Sequence, residues 1–176
     1  MSCIFQLCCK KSDNYNDKSN IDSDANWNNT VPFVPPVESG KVIKVYDGDT
    51  ITIASKLPFK SSPLYRFSVR LNGIDCPEIK GSNETEKEIA KIAKSRLSDL
   101  ILNKTVTLTN VKTEKYGRIL ADVTYNGVVL NQYMIHERLA VKYDGGTKIT
   151  PTCWKTYYES GIHESHYAPN KRNQTL

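Results

Sequence analysis

The sequence has few of the features that mark several common protein classes. No window is apolar enough to span a bilayer, and the early apolar run in residues 1–9 is too short for that. Lys10 and Lys11 follow this run rather than precede it, which is unlike a secretory signal. Cysteines number five, an odd count, and without an export signal a disulfide framework is not expected. The expected setting is therefore reducing and intracellular, in the cytoplasm or on the cytoplasmic face of a membrane. Histidines number three, and Cys153, His163 and His166 lack a fourth ligand at a recognisable zinc spacing, so no zinc site is assigned.

What is present is 176 residues, enough for one domain of ordinary size with a tail. Residues 1–36 are rich in Asn and Ser, show no sustained apolar period and leave through Val31-Pro-Phe-Val-Pro-Pro36, so they read as a disordered N-terminal segment with a stiff exit. Position 2 is Ser, which excludes the N-myristoylation pattern. Cys3, Cys8 and Cys9, beside Ile4, Phe5, Leu7 and two lysines, are candidates for S-acylation and membrane association; the other reading is a plain cysteine-bearing disordered end. That segment holds three Lys against four Asp, which leaves 21 basic and 15 acidic side chains for residues 37–176. The folded part is thus the basic part, and an anionic partner such as nucleic acid is favoured.

Within residues 37–168, the expected domain, apolar periodicity alternates between strands and helices, and residues 169–176 read as a flexible end. Lys41–Tyr46 and Ile51–Ile53 predict a hairpin whose Asp47-Gly48 pair is explained by turn chemistry. Lys56–Tyr65, with two Pro, is a connecting loop into an alternating strand that ends at Leu71. Ile89, Ile92, Ala93, Leu97, Leu100 and Ile101 fall at helical steps and predict a helix over roughly 85–102, with Thr85 and Glu88 as a capping box. Thr105–Thr109 alternates as a strand, Val111 and its neighbours pair with Ile119–Tyr125, Asn126-Gly127 is a tight turn, residues 129–135 predict a second helix and 139–143 a last short strand. Cys153, Trp154, Tyr157 and Tyr158 suggest a third helix. The fold class is α+β, mainly β: a five-stranded oligonucleotide-binding (OB-fold) barrel with about two to three helices packed on it.

Chemistry concentrates where that third strand ends, in Arg70-Leu-Asn-Gly-Ile-Asp75-Cys-Pro-Glu78. Pro77 has no ladder donor and drives the chain out of strand geometry, so one guanidinium and two carboxylates gather at a rigid strand end. A phosphodiester and a divalent cation require such a set: hard oxygens for the metal, a planar cation for phosphate and a spare carboxylate for water. The same residues also suit solvated loop charges and a cross-strand ion pair, so this segment by itself leaves both readings open.

Three separated motifs, Asp47-Gly48-Asp49-Thr50, Arg70-Leu-x-Gly-Ile-Asp75-x-Pro77-Glu78 and Lys115-Tyr116-Gly117-Arg118, stand in one order on these elements. Together they resemble the staphylococcal nuclease (thermonuclease) family over roughly residues 38–143. The resemblance implies an OB-fold barrel carrying a calcium-dependent endonuclease site for DNA or RNA, single strands preferred, working as a monomer and leaving 3′-phosphate ends. It implies Asp49 and Asp75 as Ca2+ ligands through carboxylate oxygens, and Cys76 as a ligand through its backbone carbonyl. Arg70, Glu78 and Arg118 would be catalytic, with Glu78 as general base. Lys115 and Tyr116 would contact a nucleotide's terminal phosphate, and Tyr143 would bind substrate near the base, although Val141 competes with it for the place of the family's stacking Tyr. The stretch beyond Tyr143 departs from the family pattern. A domain of this kind that only binds nucleic acid or protein is the alternative, and it predicts substitutions among Asp49, Arg70, Asp75, Glu78 and Arg118; none is substituted.

Overall fold

A computed structural model describes residues 24–81 and 83–164, so the expectations placed on Cys3, Cys8, Cys9 and residues 169–176 lie outside the described residues. The described residues fall into two units that part at Pro32. In the first, residues 24–32, side-chain amides stand in for absent ladder partners: the Asn26 N–H donates to Asn29 Oδ1 at 2.7 Å and the Asn28 N–H to Asn26 Oδ1 at 2.9 Å.

The second unit begins with β1 (Ser39–Val45), β2 (Thr50–Ser55), β3 (Tyr65–Leu71) and a two-residue β4 (Ile74–Asp75). After α1 (Glu84–Ile101) come β5 (Thr105–Thr113), β6 (Ile119–Tyr125), β7 (Val128–Val129), α2 (Leu130–His136), β8 (Val141–Lys142) and α3 (Trp154–Ser160). The sheet runs β3-β2-β1-β5-β6, and a parallel pairing of β3 with β6 from Val69↔Ile119 to Leu71↔Ala121 closes it into a five-stranded barrel. Closure leaves the long strands no free edge. Val42, Ile51, Ile53, Val69, Leu71, Val106, Leu108, Ala121 and Val123 are buried, and they occupy the apolar face of the alternation that predicted the strands. On α1 the buried stripe is Ile89, Ala93, Leu97 and Ile101, each large member worth roughly 2 kcal/mol of transfer free energy. Helix α3 lies against α1 and buries Trp154. No helix among the described residues is long and apolar enough to cross a membrane.

Three local expectations change. The N-cap of α1 is Asn83, whose Oδ1 accepts from the N–H groups of Thr85 and Glu86, so the Thr85–Glu88 box does not form. Residues 105–113 form one strand rather than two, because Asn110 takes a left-handed φ of 52° and absorbs the register shift between Thr109 and Lys112 without breaking the pairing. Gly48 is not a left-handed turn glycine. A Cβ there would lie 2.9 Å from both Ala93 Cβ and Cys76 Sγ, so close packing of the β1–β2 turn on α1 excludes a side chain.

Candidate active site

Backbone register brings the first two charged residues together. Thr50 pairs with Arg70 across β2 and β3, and the Leu71 N–H donates to the Asp49 carbonyl at 2.8 Å, which fixes Asp49 beside the last residues of β3. Asn72-Gly73, with φ +75° at Gly73, then reverses the chain into β4, which β8 holds through Asp75↔Val141. The tight turn returns Asp75 to the strand end it has just left. Asn131 of α2 secures this corner from beneath: its Nδ2 donates to the Asn72 carbonyl at 2.7 Å and its Oδ1 accepts from the Val123 N–H at 2.9 Å.

The Arg70 guanidinium spans the two carboxylates. Nη1 lies 2.7 Å from Asp49 Oδ2, and Nη2 lies 3.0 Å from Asp75 Oδ1 and 3.2 Å from the Ile74 carbonyl. Asp49 and Asp75 are only 4 % and 3 % exposed, so their charges are tied to this cation rather than to bulk water. Asp49 Oδ1 also accepts from Thr50 Oγ at 2.8 Å. From the β5–β6 turn, Arg118 offers a fork to Glu114, Nε to Oε1 at 2.9 Å and Nη2 to Oε2 at 3.0 Å, while its Nη1 reaches Thr50 Oγ at 3.5 Å. Glu78 is fixed through its backbone, whose N–H donates to Glu86 Oε1 at 3.0 Å in the first turn of α1. Asp49, Arg70, Glu78, Lys115, Tyr116, Arg118 and Tyr143 line one cavity of about 400 Å3.

Burial pushes the Asp49 carboxyl up to about 7; Arg70 draws it back only in part, and Asp47 adds to the rise. Burial works against the Arg70 cation as well, yet Asp49 and then Asp75 outweigh it and raise its pKa, so Arg70 stays charged. Burial also raises the Cys76 thiol well above its ordinary value, with Asp49 and Asp47 adding to it, which keeps the sulfur neutral.

The staphylococcal nuclease homologue family matches residues 68–158, just over half of the chain. The chain belongs to that family. Relatives include proteins named uncharacterized endonucleases in Escherichia coli, 33% identical over 106 residues, and Haemophilus influenzae, 34% identical over 103 residues. A protein of Schizosaccharomyces pombe named a probable endonuclease is 30% identical over 128 residues. These alignments cover 60%, 58% and 60% of the chain, and 61%, 51% and 56% of the respective relatives, so the chain spans only part of each. The family match takes in Arg70, Asp75, Glu78 and Arg118; Asp49 precedes it and joins the site through the β2–β3 register.

Of the two residues that compete for the place of the family's stacking Tyr, Val141 is buried in β8, whereas Tyr143 reaches the cavity. Sequence reasoning missed Lys148, whose Nζ lies 2.9 Å from Asp75 Oδ1 and 3.3 Å from Glu78 Oε1. Burial draws the Lys148 ammonium down, but its hydrogen bonds and charge contacts with Asp75 and Glu78 together outweigh burial and leave its pKa raised. It also missed Glu114 and Tyr46 on the cavity wall. Glu114 had a usable signal, a carboxylate four residues before Arg118 in the same turn; Lys148 had none, because residues 144–149 carry no period.

Carboxylates and peptide carbonyls are oxygen donors of the kind a hard, partly hydrated cation takes. Among the described residues no group of three or more His, Cys, Asp or Glu side chains could hold a metal ion, and the carboxylates that Arg70 joins are the pair Asp49 and Asp75. Oxygen-only donors fit calcium or magnesium, with peptide carbonyls, water and phosphate oxygens completing the shell. The neutral Cys76 thiol, packed against Gly48, is not among these donors.

Proposed function

We propose that the protein is a calcium-dependent endonuclease that hydrolyses phosphodiester bonds of single-stranded DNA or RNA at the 5′-oxygen side and leaves 3′-phosphate ends. The observation that carries this reading is Arg70 bridging two buried carboxylates, Asp75 behind it and Asp49 on the wall of a cavity that Arg70, Glu78 and Arg118 also line. Family membership and relatives named endonucleases support it.

Asp49, Asp75 and the Cys76 carbonyl would hold the calcium ion, which when bound supplies Lewis-acid polarisation of a phosphoryl oxygen and a more acidic water. Glu78, on the open side of the cavity, takes the proton from the attacking water. Arg118 meets the charge that develops on the phosphoryl oxygens. Its plane is already set by Glu114, so little reorganisation is needed, and a guanidinium has donors left over for phosphate. Arg70 keeps the two like-charged carboxylates within reach of one another and presents its remaining donors to the same phosphate. The 5′-oxygen leaves as the P–O bond breaks and takes a proton from solvent water to become a hydroxyl, while the exposed Glu78 returns the proton it took to solvent.

The test is cleavage of an end-labelled single-stranded DNA with calcium and with chelator, followed by phosphatase treatment of the products. Cleavage that needs calcium and yields phosphatase-sensitive 3′ ends is expected. Binding without cleavage in calcium would favour the non-catalytic module, and cleavage unaffected by chelator would remove the metal.

A further inference from the structure

We infer that Tyr46 with Lys44 and Tyr116 with Lys115 form two base-stacking platforms, Tyr116 offering its ring to a base and not only its hydroxyl to a terminal phosphate, so that the cavity takes two consecutive unpaired nucleotides, one base on each side of the reacting phosphate. This rests on the nuclease reading above and deepens it.

Tyr46 belongs to none of the three motifs, yet it lines the cavity and is 48 % exposed. Its position is fixed: the N–H groups of Tyr46 and Asp47 both donate to the Thr50 carbonyl, at 2.9 Å and 3.4 Å, so the platform is tied to the turn that carries Asp49. Lys44 Nζ stands 5.7 Å from the ring centroid, which places a cation against its π-face. The β5–β6 turn repeats this arrangement on the same cavity, with Tyr116 74 % exposed and Lys115 Nζ 4.9 Å from its centroid. The β1–β2 hairpin that carries Asp49 and the β5–β6 hairpin that carries Arg118 thus each bring a tyrosine with a lysine over it.

An exposed aromatic beside a cation is the recurring element of single-strand recognition, because every base has a π-face and every linkage a negative charge. Two such elements on one cavity, with Arg70 and Arg118 in its wall, match a base–phosphate–base unit rather than a lone nucleotide. In a duplex both faces of a base are covered by stacked neighbours, so the arrangement selects unpaired strands.

The experiment measures binding of fluorescein-labelled mono-, di- and tetranucleotides by anisotropy in calcium, on a Glu78→Gln background that suppresses cleavage. The parent is expected to gain about tenfold in affinity from one base to two, as one added stack provides. Tyr46→Leu should lose that gain, Tyr46→Phe should keep it, and Tyr116→Leu should lose it as well. A Tyr46→Leu protein with the parent's gain overturns the inference while leaving the nuclease reading intact. A parent that binds no oligonucleotide of any length overturns both. Thermal midpoints run alongside separate a folding defect, which Tyr46→Phe would not share.

Discussion

Lys148 Nζ lies 2.9 Å from Asp75 Oδ1, the oxygen that Arg70 Nη2 approaches at 3.0 Å, so two cations share one oxygen of a candidate calcium ligand. The lysine, whose side chain is 46 % exposed, extends to Glu78 as well and links the candidate ligand to the candidate base. A divalent ion held as proposed would compete with it for Asp75. Lys148→Met removes the competitor and keeps most of the stem. Calcium affinity by titration calorimetry is expected to rise up to about fivefold, the equivalent of the ~1 kcal/mol that a half-exposed ion pair is worth. Weaker calcium binding in the variant would mean that Lys148 holds Asp75 in place instead of competing for it.

Gly48 is the tightest backbone approach near the site. Gly48→Ala would put a methyl 2.9 Å from Ala93 Cβ and Cys76 Sγ, and both neighbours are buried. The β1–β2 turn must then lift from α1, at a cost of about 1–3 kcal/mol, and Asp49 lifts with it. Urea unfolding should show a lower midpoint at an unchanged slope, together with weaker calcium binding. An unchanged midpoint would show that the turn packs more loosely than this contact requires.

The barrel was legible because its strands bury one face: the alternation ending at Val69 and Leu71 and the helical steps of Ile89, Ala93, Leu97 and Ile101 are recorded directly as burial. The meeting of Asp49 with Arg70 was legible only through the family resemblance, since strand pairing of Thr50 with Arg70 is a long-range fact that local pattern does not encode. Glycine misled at position 48 because turn chemistry and close packing both select it, and only the neighbouring Ala93 and Cys76 distinguish them. Asn83 lost out to Thr85 as the expected cap because both are capping residues and the choice depends on where the preceding loop delivers the chain. Lys148 was invisible because an aperiodic loop gives no direction to its side chains.

Asp49 is expected to contribute a pH-dependent stability in the chelated protein. Burial, partly offset by Arg70, raises its carboxyl from 3.8 to about 7, so between those values the folded chain holds a proton that the unfolded chain has released. Stability from this group is complete below the unfolded value and is lost as pH rises toward about 7, after which the loss is constant. Thermal midpoints in chelator should therefore fall across that window, and calcium should restore more stability at its upper end than at its lower end. Asp49→Asn should flatten the slope. An Asn variant that keeps the slope would assign it to other groups.

Glu78 separates binding from chemistry. Its side chain is 61 % exposed and touches Lys148, while Arg70 and Arg118 face the same cavity with their own carboxylate partners, so removing the Glu78 charge leaves the phosphate-facing cations in place. Glu78→Gln keeps the size and forfeits the proton acceptor; kcat for single-stranded DNA should drop by about two to four orders of magnitude with little change in oligonucleotide affinity. Glu86→Ala is the graded companion, because Glu86 Oε1 accepts from the Glu78 N–H at 3.0 Å and its loss frees the backbone without touching the base itself. A smaller fall in kcat is expected there, with the pH profile unmoved. Equal rates for Glu78→Gln and wild type in single-turnover assays would take Glu78 out of the chemistry, and a tenfold loss of oligonucleotide affinity in the same variant would make it a binding residue instead.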